Sequence, residues 1–320
     1  MKRLILAFFG LFALAACGRG DASSQDAAVL HVGSQRGGTK AVMLASGVLK
    51  GAPYRIEWSE FPAAQHLLEA IGGGAVDVGL VGDAPFIFAY QSGSPIRAVG
   101  AQFVEERPSG ALALVVPPKS PIRGIADLKG RTVATTRGSV GHYLVIRALA
   151  DAGLPADWVK LSFLAPGDAK AAFDSGAIDG WVTWTPYLAV ALKEGARIVV
   201  DGQNIVSGYS FGVANETAID GKRKLLDDFL NREAKALAWA HAHPDLYAGV
   251  LARETGLPLD IAQDFAIKTA RRRVPIDATV IADQKRVLDD FRTAGTVSGQ
   301  RPLVAGFDQT FQVQKLAAVP

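Results

Sequence analysis

The sequence predicts an α/β protein of two lobes, each a mainly parallel sheet flanked by helices, with a helical C-terminal segment. Three observations carry this. Strand and helix signals alternate in βαβα order over most of the chain. A proline-rich break, Pro117-Pro118-Lys119-Ser120-Pro121, separates one α/β set from a second. From Asp220 onward the pattern turns almost wholly helical.

The elements follow in order. Val29 to Ser34 is a strand ending in a turn, and residues 39–49 are a helix stopped by Gly51 and Pro53. Residues 54–59 alternate like a strand, 63–71 form a helix closed by Gly72-Gly73-Gly74, and 76–81 are a short buried strand. A helix at 85–91 and strands at 96–103 and 111–116 complete the first set. After the proline break come a helical turn at 126–130, a strand at 132–135 and a helix at 140–152 capped by Ser139. Strands at 158–164, 180–184 and 196–200 then alternate with helices at 168–175 and 186–194. Residues 209–213 return to strand character. Helices are expected at 222–243, 244–255, 259–271 and 277–294. The expected domains are therefore 1–16 as an export signal, 17–28 as a linker, 29–116 with 214–320 as lobe one, and 117–213 as lobe two. The chain would cross between lobes near Pro117 and Gly212, and two crossings make a hinge beside a ligand cleft.

The N-terminus sets the expected compartment. Lys2 and Arg3 precede an apolar run from Leu4 to Leu14, which ends in Leu14-Ala15-Ala16-Cys17-Gly18. A basic start, an apolar stretch and small residues make an export signal. The run is too short for a spanning helix, which needs ~20 apolar residues. L-A-A-C resembles the lipobox of bacterial lipoproteins, which implies Cys17 as a lipidated mature N-terminus. An ordinary cleaved signal with a chance cysteine is the alternative. No membrane span is expected after Cys17.

Composition narrows the function. Hydrophobic content of 49% and charged content of 20% describe a well-cored globular chain. The net charge of +3 is small, and apart from Arg271-Arg272-Arg273 there is no basic run, so nucleic-acid binding is not expected. One cysteine excludes an internal disulfide and cysteine-based metal sites. Catalytic signatures are missing too. Gly138 to Gly141 is not followed by Gly-Lys-Ser/Thr, G-D-A-P lacks the nucleophile of G-x-S-x-G, and no H-E-x-x-H occurs. The expectation is a protein that binds without chemistry, with no cofactor or metal.

Several segments together resemble solute-binding proteins of ABC transporters, in the aliphatic sulfonate, nitrate and taurine group. They include Gly33 to Gly38 (G-S-Q-R-G-G), Trp58 to Ala70 (W-S-E-F-P-A-A-Q-H-L-L-E-A), Asp77 to Pro85 (D-V-G-L-V-G-D-A-P), Gly138 to Leu149 (G-S-V-G-H-Y-L-V-I-R-A-L) and Asp179 to Tyr187 (D-G-W-V-T-W-T-P-Y). The likeness runs from about Leu30 to about Leu288 and leans toward the aliphatic sulfonate binders. It implies a type II periplasmic-binding-protein fold closing on a small anion. It further implies a sulfonate ligand, an ABC permease with its ATPase as partners, attachment to a membrane through Cys17, and a monomer in the periplasm or cell envelope. Taurine, nitrate or a thiamine-pyrimidine precursor are sister ligands on the same fold. A pyrimidine-precursor synthase is the enzyme alternative, and export speaks against it. A sensing module for a membrane receptor is a third class.

Candidate ligand residues follow from local chemistry. Small residues at a helix start leave N–H groups for an anion, which marks Ser139 and Gly141, with His142 as a further donor. Gln35, Arg36 and Gly37 follow the first strand, where open α/β sheets bind ligands. Gly82, Asp83 and Ala84 end the third strand at a helix start, with Asp83 as cap or as partner for an ammonium. Trp181 and Trp184 are expected to share a strand face, with Trp184 nearer the cleft as an apolar wall. Tyr209 and Ser210 would close the far side, and Ser109 and Gly110 flank the first crossing.

Overall fold

The computed structural model describes residues 28–104, 106 and 109–311. The export signal and Cys17 lie outside the described residues. The chain begins with β1 (Val29–Gln35), α1 (Thr39–Ser46), β2 (Arg55–Phe61), α2 (Ala64–Gly72), β3 (Val78–Gly82), α3 (Asp83–Gln91) and β4 (Ile96–Phe103). It then runs through β5 (Leu112–Val116), β6 (Thr132–Thr135), α4 (Val140–Asp151), β7 (Lys160–Phe163), α5 (Pro166–Asp174), β8 (Gly180–Trp184), α6 (Tyr187–Lys193) and β9 (Arg197–Asp201). It closes with β10 (Tyr209–Asn215), α7 (Glu216–Ala242), α8 (Pro244–Thr255), α9 (Leu259–Lys268), β11 (Arg272–Val274) and α10 (Ala278–Thr293).

Two sheets result. Lobe one has six strands in the order β11-β4-β10-β3-β1-β2, and lobe two has five in the order β7-β6-β8-β5-β9. β1 pairs in parallel with β2 and β3, while β10 runs antiparallel to both β3 and β4. In lobe two, β6 is parallel to β7 and β8, and β5 runs antiparallel to β8 and β9. β5 and β10 are the first strands after each change of lobe. A chain arriving from the cleft must run away from it, against neighbours that run toward it.

This moves the expected boundaries. Residues 112–116 belong to lobe two, because Leu112 to Val115 register with Trp184 to Trp181. Residues 209–213 belong to lobe one, with Ser210 to Val213 registered with Gly82 to Gly79 and Tyr209 with Phe103. The chain changes lobe between the end of β4 and the start of β5, and again between the end of β9 and the start of β10, not at Pro117 and Gly212. Gly110 and Gly208 in these two connections have φ of 74° and 83°, a region that side chains with Cβ resist. The proline run instead ends β5 at its far end, where the Arg197 guanidinium holds the carbonyls of Ser120 at 2.7 Å and Ile122 at 3.1 Å.

Each sheet is covered on both faces, which is why its strands read as apolar runs. In lobe one, Leu67, Ile71, Phe86, Phe211 and Phe291 pack on one face, and Leu30, Val32, Leu226, Phe229 and Leu251 on the other. In lobe two, Trp181 packs with Phe173 at 5.8 Å between ring centroids, whereas Trp184 packs among the residues of the opposite face. The two tryptophans do not share a face. They are three residues apart on β8, and side chains alternate along a strand.

The lobes touch on both flanks of the cleft. Tyr143 and Arg147 of α4 donate to the Asp290 carboxylate of α10 at 2.8 and 3.1 Å. Lys193 of α6 meets Asp260 of α9 at 2.5 Å.

Candidate functional site

The carboxyl ends of the parallel strands of both sheets, with the starts of β5 and β10, converge on one cavity of about 230 Å³. Of the expected residues, Gln35, Arg36, Gly82, Asp83, Ser139, Trp184, Tyr209 and Ser210 line it. Gln35 ends β1, and its amide nitrogen donates to the Leu80 carbonyl at 3.1 Å, which fixes the amide plane. Ser139 caps α4 as expected: its hydroxyl accepts from the His142 N–H at 3.1 Å. The first turn of α4 presents its remaining N–H groups and positive dipole end beside it. Trp184 and Tyr187 meet edge to face, 6.4 Å apart at 89°, and give the cavity an aromatic wall. Tyr209 stacks obliquely on Phe103 at 4.8 Å across from them.

Asp83 does not face the cavity as a free anion. Its carboxyl accepts from the Ser207 hydroxyl and, at 2.6 Å, from the Ala84 N–H. Burial pushes that carboxyl up from its ordinary value, against these hydrogen bonds. A carboxyl held toward its neutral form repels an anion less.

Six expected residues fall outside the lining. His142 is 1% exposed, and its Nδ1 accepts from the Gly138 N–H at 3.2 Å while its ring packs on Phe163 and Phe291. Burial, aided by Arg137, lowers its pKa to about 4, so it stays neutral and inside. Gly141 is a packing glycine, since a Cβ there would stand 2.5 Å from Thr135 Oγ1 and 3.2 Å from Val182 Cγ1. Its small size lets α4 lie close on β6 and β8. Ala84 is fully buried in the lobe-one core. Gly37 turns away under Leu251 and Phe265, and Gly38 takes its place in the lining. Ser109 and Gly110 are held beside the cleft by Asp201, at 2.5 and 3.0 Å.

The structure adds residues that the sequence reading passed over. Gln65, at the start of α2, has both amide atoms buried without a hydrogen-bond partner. Three cations reach the lining: Arg36, Lys268 and Arg271. Arg36 is exposed and donates to the Thr255 carbonyl, and Lys268 is paired with Asp264 at 2.9 Å. Arg271 is the least compensated, with a buried Nε that meets no partner. Burial lowers its pKa, opposed by Tyr247 and Glu233. The signal for it was the basic triplet at 271–273. On a strand such a triplet sends alternate residues to opposite sides, but this stretch reads as the end of a helix. Among the described residues no group of three or more His, Cys, Asp or Glu is placed to hold a metal ion. None of their helices is long and apolar enough to cross a membrane.

The sequence pattern of the family described as NMT1/THI5 like matches residues 59–246. The chain belongs to the NMT1/THI5-like family. It is 33% identical over 297 residues to an Escherichia coli (strain K12) protein provisionally named an aliphatic sulfonates-binding protein, covering 91% of this chain and 92% of that one. Among solved structures, the periplasmic aliphatic sulphonate binding protein SsuA from Escherichia coli superimposes with a TM-score of 0.75 at 30% identity, covering 91% of this chain and 94% of that one. The alkanesulfonate-binding protein SsuA from Xanthomonas axonopodis pv. citri, bound to MOPS, gives 0.78 at 29% identity over 88% and 98% of the two chains. The two-lobed periplasmic-binding-protein fold expected from the resemblance is the fold observed. These relatives are binding proteins rather than enzymes.

In this NMT1/THI5-like chain the cleft is built for an amphiphile with one anionic end. Donors on both lobes and the Arg271 guanidinium, whose Nε is unmatched, suit a group with several acceptor oxygens. Trp184, Tyr187, Leu112, Val140 and Val206 offer apolar surface to the rest of the molecule.

Proposed function

We propose that this protein captures an organosulfonate in the interlobe cleft outside the cytoplasm and delivers it to an ABC permease and its ATPase. The observation that carries this is the pairing, in one cavity, of Arg271 with its unmatched Nε and the α4 start with the Trp184–Tyr187 wall. Nitrate would leave the aromatic wall unused, and taurine would need free acidic partners that Asp83 does not supply. The named relatives support the same ligand class. The ligand residues proposed are Gln35, Gly82, Ser139, Trp184, Tyr209 and Ser210, joined by Gln65 and Arg271.

Thermal unfolding with alkanesulfonates, taurine, nitrate, sulfate and pyrimidines tests the reading. An alkanesulfonate at a hundred times its dissociation constant should add ~2.7 kcal/mol to stability. No shift with any sulfonate, alongside a clear shift with another ligand, rejects it.

The Leu14-Ala15-Ala16-Cys17 segment supports attachment to a membrane through Cys17. One acyl chain binds a bilayer only marginally, so a stable tether needs more than one. Palmitate labelling of the exported protein should disappear in Cys17→Ser; labelling that persists would leave the binding role on an untethered protein.

A further inference from the structure

Behind the cleft, inside lobe one, a second cavity of about 70 Å³ opens against the first. Gly38, Thr39, Leu80, Phe265, Thr269 and Arg271 line both, so the two spaces adjoin with Arg271 at their junction. The inner end is polar. Gln102 of β4 is 1% exposed; its amide oxygen meets no partner, and its amide nitrogen lies toward the Glu233 carboxyl without closing a full hydrogen bond. Glu233 of α7 is 3% exposed and accepts from the Thr39 hydroxyl at 3.2 Å. A buried amide left with an unmatched oxygen and an incompletely matched N–H is costly, and in folded proteins such groups meet water or a ligand. An alkyl end placed here would leave Gln102 unmatched, whereas apolar surface lies at the Trp184–Tyr187 wall.

The charges narrow the occupant further. Burial pushes the Glu233 carboxyl up, opposed in turn by Arg273, the Thr39 hydroxyl, Gln102 and Arg271. One carboxyl with two guanidiniums in its field is a poor seat for an ammonium. It suits an uncharged group that both donates and accepts.

We propose that this cavity is an annex of the ligand site that receives an uncharged hydrogen-bonding end of the bound sulfonate, such as a hydroxyl, on Gln102 and Glu233. The inference rests on the sulfonate reading and sharpens it from plain alkanesulfonates to sulfonates with a neutral polar far end.

Calorimetric titration of the full exported chain decides it. The probes are a homologous series of ω-hydroxyalkanesulfonates, the alkanesulfonates of equal chain length, and the ω-amino analogues. At the length that reaches the annex, the hydroxyl should tighten binding about tenfold over the alkyl end. The amine should gain nothing. Gln102→Met keeps the shape without the amide and should erase the hydroxyl advantage while binding the plain alkanesulfonates as before. Hydroxyl and alkyl ends that bind alike at every length would show that the cavity holds water only, and would overturn the annex while leaving the sulfonate reading intact. A preference for the amine, or an advantage that survives in Gln102→Met, would overturn it as well. If no sulfonate of any kind binds, the sulfonate reading itself falls, and the annex with it. Should Gln102→Met not fold, the wild-type comparison of chain ends still decides.

Discussion

Arg271→Met is expected to weaken alkanesulfonate binding by about a hundredfold, since removing one partner of a buried charge pair costs about 2–5 kcal/mol. The three cations of the cleft differ in what they already bind. Lys268 is neutralised by Asp264 at 2.9 Å, and the exposed Arg36 donates to the Thr255 carbonyl. Arg271 has its Nε buried and unmatched, with the buried Glu233 carboxyl as the acidic group in its field. An anion in the cleft completes that arrangement. The apo protein should tolerate the change, because Glu233, already pushed toward neutrality by burial, can take up a proton when one of its two cations is lost. Calorimetry of binding, with the apo melting temperature as control, checks this. Affinity within a few-fold of wild type would show that the anion sits elsewhere in the cleft. Arg36→Ala should barely alter affinity, as exposed charges contribute little.

The second large effect separates the two tryptophans of β8. Trp181→Ala should cost ~3–5 kcal/mol of stability and lower the melting temperature by roughly 10 °C, because its ring is 1% exposed and packed on Phe173. Below the transition it should bind sulfonates as wild type does. Trp184→Ala should do the opposite, leaving the melting temperature nearly unchanged and weakening binding of sulfonates with apolar tails. Thermal unfolding and titration of the two variants side by side are sufficient. If Trp184→Ala binds normally, the aromatic wall is not part of the site.

Much of the fold was legible because both sheets are buried on both faces, so that β1, β3, β5 and β8 stand out as short apolar runs between helices. The crossings were not. Leu112 to Val116 is apolar throughout, and such a run fits the middle of either sheet; only its pairing with Trp184 to Trp181 assigns it. The prolines at 117–121 are a strong local signal, but they mark the end of a strand rather than a passage between lobes. In the site, Ser139 was legible because a serine before an apolar helix is a cap with one physical meaning. His142, three residues on, was not. Its side chain lies under α10 against Phe291, a contact between lobes that no local pattern encodes. Arg271 was hidden for a related reason: the helical periodicity of α9 runs straight into it, and β11 is only three residues long.

The antiparallel strand in the middle of each sheet has a consequence for biogenesis. Residues 112–201 supply every strand of the second sheet, so that lobe can assemble from one continuous stretch as soon as it has been made. The first sheet cannot. β10 lies between β3 and β4, so the four strands made earliest wait with unfilled edges until residue 215 has appeared. The lobe begun first is finished last, and for that interval its open edges of β3 and β4 need protection from pairing with another chain.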